Sequence, residues 1–210
     1  MKRTLSKVVQ LCEGGLRPPF TITYQEEGHQ YFIDGESVPS VTQVVDQLHN
    51  FTGSPGAAAQ RGTLIHLACE YFIKGILDWS TVDPSIYPEV QTFANWWDEA
   101  RFKPLLVEGI VGSKQYKFAG RLDLFGVWKT GLALVDFKTG GEYPAYRFQT
   151  AGLEIALGEC LVGIQPIKVQ RYCLYLKGDK ARPVQHEDPR DRPRFLAALT
   201  CSHTRRELYP

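Results

Sequence analysis

Asp123, Asp136 and Lys138 are the side chains of this sequence whose types and spacing most directly suggest chemistry. They share one stretch, Phe118–Gly141, FAGRLDLFGVWKTGLALVDFKTGG. Two strand-like runs flank the turn residues Lys129-Thr130-Gly131, which is the pattern of a β-hairpin. Facing residues of a hairpin meet, so acids near the same end can converge. Alternation along the second strand puts Asp136 and Lys138 on one face and Phe137 on the other. Both charges directly follow the apolar run Leu132–Val135. A charge pair at the end of a buried strand is costly unless a metal, a partner or a function compensates. Two carboxylates and an ammonium are the parts of a divalent-metal site, since hard cations such as Mg²⁺ take oxygen ligands and need few of them from the protein. The chemistry such a set supports is phosphodiester hydrolysis, with a phosphoryl oxygen polarised by the ion and Lys138 orienting water or offsetting charge in the transition state.

Further residues bear on that set. His66 and Glu70 are four apart and share a face of one predicted helix. A neutral imidazole at His66 would add a ligand that suits Mn²⁺ as well as Mg²⁺. Taken alone, His66 also fits a core histidine, and Glu70 fits an i,i+4 partner for Lys74. Glu108 lies on a predicted strand and faces either the site or solvent. Neither a Ser–His–Asp or Cys–His pairing nor a G-x-x-x-x-G-K-[ST] phosphate loop is present, which argues against those hydrolases and against an ATP-driven motor.

The elements that must position these residues read as a mixed α/β layout, a central sheet with helices packed on it. Residues 1 to about 20 read as an irregular arm, followed by short strands at 21–24 and 31–33. Ser40 with Gln43 three residues on forms a capping box for a helix to about His49, and 50–56 reads as a loop. Helices are expected from Ala57 to Ile76, Ile86 to Arg101, Tyr146 to Leu161 and Arg194 to His203, with strands at 105–111 and 167–176. The stripe Ile86, Val90, Phe93, Trp97 and Ala100 reads as core, Trp96 and Phe102 lie off it, and 177–192 reads as a charged loop. The chain has 210 residues, 43% hydrophobic and 22% charged, enough to bury one core. One domain is expected over 1–210: an N-terminal arm at 1–56, a catalytic core at 57–176, and a C-terminal loop and helix at 177–210.

Net charge is +1, from 24 basic and 23 acidic residues, so any nucleic-acid surface must be local. Lys114, Lys117, Arg121 and Arg147 flank the motifs and could supply it, or could be ordinary solvated charges. No apolar run approaches the roughly 18 residues of a membrane span, and no signal peptide is expected. Five scattered cysteines (Cys12, Cys69, Cys160, Cys173 and Cys201) without a CxxC point to buried, reduced thiols rather than an iron–sulfur cluster.

Four pieces, in order, resemble the PD-(D/E)XK nucleases, specifically the RecB-like and phage-type exonuclease branch that includes mitochondrial genome-maintenance exonucleases. They are RGTLIH (Arg61–His66) with Glu70, AGRLD (Ala119–Asp123), LVDFKTG (Leu134–Gly140) and RFQTAGL (Arg147–Leu153). The segment YFIDGESVPSVTQVV resembles the N-terminal part of phage-type members, so the likeness spans about residues 24 to 176. In the last piece Leu153 stands where the family usually has Tyr.

The resemblance implies a restriction-endonuclease-like α/β core and one or two Mg²⁺ or Mn²⁺ ions. It implies His66, Asp123 and Asp136 as ligands with the Phe137 carbonyl, Lys138 as the catalytic lysine, and Gln149 and Glu70 in support. Arg61, Ser40 and Thr42 are candidates for a terminal phosphate, through a bidentate fork and a helix start. The expected activity is exonucleolytic cleavage of linear or single-stranded DNA in replication, recombination or repair. The expected setting is the cytoplasm, that of a bacterial host if the protein is phage-encoded. Recombination or single-strand-binding partners and a homo-oligomer are compatible with it. A structure-specific endonuclease and an inactive DNA-binding scaffold on the same fold remain the competing readings.

Overall fold

A computed structural model describes residues 2–12, 16–48, 56–163 and 168–209. Helix α1 (Lys2–Cys12) replaces the irregular arm expected there. It is held by a narrow stripe: Val8 and Cys12 are buried in the main core, with Leu5 packed beside them. Leu5, Val8, Val9 and Cys12 recur at helical spacing, a signal the expected irregular arm does not use, and tertiary packing stabilises so short a helix. Strands β1 (Ile22–Gln25) and β2 (Gln30–Ile33) lie where short strands are expected and pair antiparallel, and a third strand, β3 (Glu36–Val38), joins them after the turn at Asp34-Gly35. Three residues are too few to show alternation, so β3 was not legible.

The capping box at Ser40 is present in both directions, Gln43 N–H to Ser40 Oγ and Ser40 N–H to Gln43 Oε1. It starts α2 (Val41–Asp46), which is shorter than expected. The expected end at His49 and most of the expected loop 50–56 lie outside the described residues. Helix α3 (Gly56–Ile73) carries His66, and α4 (Tyr87–Ala100) follows a short 3-10 turn at Trp79–Thr81. Trp96 and Phe102, off the predicted stripe, pack in the same core as that stripe, Trp96 against Phe93 and Trp128.

Strands β4 (Lys103–Ser113), β5 (Phe118–Trp128) and β6 (Gly131–Lys138) run antiparallel in sequence. Helix α5 (Tyr146–Cys160) crosses over to β7 (Val169–Tyr175), which lies parallel to β6. The segment expected as a charged loop holds a further edge strand, β8 (Arg182–His186), antiparallel to β7. Pro183 is at home on such an edge, where one side of the strand needs no ladder donor. Helix α6 (Asp191–Leu208) is longer at both ends than the sequence suggested.

The five-stranded sheet is thus mixed, in the order β4-β5-β6-β7-β8, the α/β layout expected of a restriction-endonuclease-like core. Residues from α1, α2, α5 and α6 bury one face with Leu122, Phe125 and Leu134. Residues from α3 and α4 bury the other with Leu124, Val135 and Phe137. The small sheet packs Tyr31, Ile33 and Val38 on Ala119. No helix among the described residues is long and apolar enough to cross a membrane.

One packing detail bears on the site. α5 lies against α6 at Gly152, where an added Cβ would fall 2.6 Å from the ring of Phe195. Phe195 is fully buried against Phe118, so its ring has little room to move. Gly152→Ala is expected to cost about 1–3 kcal/mol by overpacking, read as a lower melting temperature; an unchanged melting temperature would show that the contact yields freely.

Candidate active site

The site lies where two strands part. β5 and β6 are paired from Trp128↔Gly131 to Leu124↔Val135, and beyond that point the register records no further pair. The first half of β5 turns instead to the segment before α2, through the Ser40↔Ala119 bridge and the Ala119 N–H to Pro39 carbonyl bond (3.1 Å). Asp123 and Asp136 are the residues immediately past the last pair. The Phe137 N–H, on the side of β6 that faces the gap, is satisfied by Asp123 Oδ2 at 2.5 Å. A buried N–H needs such a partner, so the carboxylate takes over from the missing strand.

His66 reaches the same point from α3, its Nδ1 3.4 Å from Asp123 Oδ1. The edge of Phe137 braces the imidazole, with ring centroids 5.7 Å apart. Glu108 arrives from β4. Val107 pairs with Leu124 and Gly109 with Leu122, which puts Glu108 opposite Asp123. Its φ of 52° is left-handed, sparsely populated for a residue with a side chain and most often kept where function needs it. Ligand atoms of His66, Glu108 and Asp123 all lie within 4.8 Å of one another.

Asp136 heads a second group. Lys138 Nζ is 2.5 Å from Asp136 Oδ2 and donates to Gln149 Oε1 at 2.9 Å, while Gln149 Nε2 donates to Asp136 Oδ1 at 3.0 Å. Cys173 Sγ lies 3.8 Å from Asp136 Oδ2. The Tyr146 ring stands 4.0 Å from Lys138 Nζ, a cation–π contact. Tyr146 and Cys173 carried no sequence signal of their own.

The protonation pattern follows from crowding three acids. Burial, joined by the nearby Asp123, raises the Glu108 carboxyl to about 8. Burial and Asp123 likewise raise Asp136, although Lys138 opposes them. Asp123 is buried too, yet His66 and the Phe137 N–H hold it below the usual carboxylate range. Burial would lower His66, but Asp123 outweighs it and lifts the imidazole to about 9. Lys138 is held above its ordinary value because Asp136 outweighs burial. Two carboxylates with raised affinity for protons, and a histidine raised by a third, mark a place short of positive charge, and oxygen donors with one imidazole fit Mg²⁺ or Mn²⁺.

Several other predicted residues are placed elsewhere. Arg61 donates to the Ser85 carbonyl (2.8 Å) and to Glu89 (2.6 Å), tying α3 to α4. Arg147 pairs with Asp188 and Asp191, beside buried Arg171. Lys114 and Lys117 pair with Asp34 and Glu36 near the β2–β3 turn. Glu70 pairs with Lys74 at 2.5 Å. None of these stands among the residues lining the cleft, whereas Ser40, Thr42, Arg121 and Gln149 do. Ser40 Oγ is engaged by its own helix cap. Leu153, where the resemblance expected Tyr, is buried in the core and fills the space that Gly120 leaves open. Cys12, Cys69, Cys160 and Cys173 are buried and Cys201 is exposed.

No protein-family model and no curated protein matches the sequence. Among solved structures, the chain is similar to a protein from Eubacterium rectale described as a candidate exonuclease, at 10% identity and a TM-score of 0.49, over 76% of this chain and 69% of that one. It is also similar to LHK-Exo, an alkaline exonuclease from Laribacter hongkongensis, solved with dAMP, at 14% identity and a TM-score of 0.38, over 81% of this chain and 93% of that one. At these identities and TM-scores, the chemistry of the site rests on its own atoms.

If a cation replaces protons here, Mn²⁺ binding measured by calorimetry should tighten as pH rises from 6.5 to 8.5. His66, raised to about 9, must lose its proton to act as a ligand, which gives at least about tenfold per pH unit. Asp123→Asn should abolish tight binding and Glu108→Gln should weaken it. A pH-independent affinity would count against these ligands.

Proposed function

We propose that the protein is a metal-dependent deoxyribonuclease of the PD-(D/E)XK type, acting as an exonuclease on linear or single-stranded DNA in replication, recombination or repair. The observation that carries this is the meeting, in one cleft, of His66, Glu108 and Asp123 with the Asp136–Lys138–Gln149 group. The ordered resemblance of four sequence motifs points the same way.

A divalent cation held by His66, Asp123 and Asp136, with Glu108 and the Phe137 carbonyl as further donors, would supply charge neutralisation at the phosphate and a more acidic attacking water. The protein's own groups do the rest. Asp123 bridges the two strands by accepting the Phe137 N–H, which fixes the backbone that carries both Asp136 and Lys138. Gln149 bonds both of those side chains at once and so sets their spacing. Lys138 keeps its proton at neutral pH, because Asp136 holds its pKa up against burial. It therefore acts as a charged donor, holding water or offsetting negative charge as the phosphorus–oxygen bond breaks, and not as a general base.

The test is digestion of end-labelled linear DNA and closed-circular DNA with Mg²⁺, Mn²⁺ or EDTA. Loss of linear DNA only, stopped by EDTA, is expected. Lys138→Ala should lower the rate about 10²–10³-fold, the scale for one donor in a site of this kind. Cutting of closed circles would indicate an endonuclease, and DNA binding without hydrolysis would indicate a scaffold.

A further inference from the structure

Three side chains meet the ammonium of Lys138: Asp136 from its own strand, and Gln149 and Tyr146 from the first turn of α5. Asp136 Oδ2 lies 2.5 Å from Nζ and Gln149 Oε1 accepts from it at 2.9 Å. The Tyr146 ring centroid is 4.0 Å from the same nitrogen. Asp136, Lys138 and Gln149 line the cleft, and Tyr146 is not among the residues that do. The ring therefore touches the lysine without lining the space a substrate would fill.

The chain around Tyr146 keeps that ring in place. Tyr146 opens α5 and Gln149 is three residues on, a spacing that puts both side chains on one face of the helix. The Tyr146 N–H donates to the Tyr143 carbonyl at 3.1 Å. The Tyr143 ring stands perpendicular to that of Tyr146, with centroids 5.4 Å apart. Glu142, just before, pairs with Arg182 of β8, whose guanidinium carbon is 4.9 Å from the Tyr175 ring centroid. Tyr175 is the partner of Lys138 across β6 and β7. The loop that leads from Lys138 to α5 is thus tied back to the strands beside the lysine.

Asp136 is both the closest partner of the ammonium and one of the proposed metal ligands. Once Asp136 serves a cation, its hold on Lys138 weakens, and Gln149 and Tyr146 remain. A lysine stem is flexible, so an ammonium held from one side only would wander. A ring face attracts the charge as a whole, which leaves the N–H that Asp136 releases free to meet water or phosphate.

We infer that Tyr146 is a positioning residue for Lys138, its ring holding the ammonium in place while Asp136 serves the cation. This rests on the nuclease function proposed above and adds a residue to that same site.

The experiment compares Tyr146→Leu, Tyr146→Phe, Lys138→Ala and the Tyr146→Leu/Lys138→Ala pair with the wild type, melting temperature confirming that each variant folds. Hydrolysis of linear DNA is one readout. The other needs no activity and no metal: the proton shift of the Lys138 ε-methylene, which a nearby ring moves upfield. Tyr146→Leu should lower kcat about tenfold, the rate equivalent of a desolvated cation–π contact. KM and the Mn²⁺ affinity measured by calorimetry should stay the same. Tyr146→Phe keeps the ring and should keep the rate. In the Lys138→Ala background Tyr146→Leu should cost nothing more, because a residue that acts through another does not add to its loss. The ε-methylene should stay upfield in the wild type and in Tyr146→Phe, and return to its ordinary position in Tyr146→Leu.

The positioning role is overturned if Tyr146→Leu slows Lys138→Ala as much as it slows the wild type, or if Tyr146→Phe is as slow as Tyr146→Leu. A raised KM with kcat unchanged also overturns it, since Tyr146 would then be a substrate contact. An ε-methylene shift that Tyr146→Leu leaves in place would overturn the contact itself. Absence of any hydrolysis by the wild type with Mg²⁺ or Mn²⁺, with the upfield signal present, would instead overturn the nuclease function and leave the ring a structural partner of the lysine.

Discussion

The 2.5 Å bond from the Phe137 N–H to the Asp123 carboxylate is the contact on which the site depends. Where β5 leaves β6, a strand loses its ladder and a buried backbone donor is left over. A solvent-facing opening would answer that need with water; here an acid answers it, and the acid is fixed in the gap. The fork gives two carboxylates from neighbouring strands room to face one place without being pressed together. It also lets the segment before α2 pair with β5, which brings Ser40, Thr42 and the small sheet to the rim of the same cleft.

The distribution of charge around that bond is uneven by design of the fold. Asp123 is stabilised as a carboxylate by His66 and the backbone N–H, whereas Glu108 and Asp136 are crowded by it and raised. One acid is thus favoured as a carboxylate, while the other two bind protons more readily than an exposed acid would. On the second group, Gln149 bonds both Asp136 and Lys138, so losing it would free two charged side chains at once. Because α5 carries Gln149 on one turn and the Gly152 contact with Phe195 on the next, helix packing and the geometry of the lysine are set by the same element.

Much of this was readable from residues close in sequence. The hairpin, the facing of Asp136 and Lys138, the capping box at Ser40 and the core stripe of α4 all follow from short periods and local chemistry. What was not readable depends on distant partners or on one dihedral. Arg61 and Arg147 match a phosphate-binding type, but Glu89, Asp188 and Asp191 reach them from elements far along the chain. Glu108 is one charge on a strand until its left-handed φ and its position opposite Asp123 turn it to the site. β8 was hidden because five residues with a proline and one aliphatic side chain give little pattern without the strand that receives them, whereas α1 carried Leu5, Val8, Val9 and Cys12 at helical spacing, a pattern the irregular-arm expectation passed over.

The central claim is that His66, Glu108 and Asp123, beside Asp136, hold a divalent cation at the fork between β5 and β6. Anomalous diffraction from a crystal soaked in Mn²⁺ addresses it directly. A manganese peak in contact with Asp123 and His66, absent from an Asp123→Asn crystal, is the predicted result. A peak confined to other acids, or none at a Mn²⁺ concentration that supports hydrolysis in solution, would contradict it.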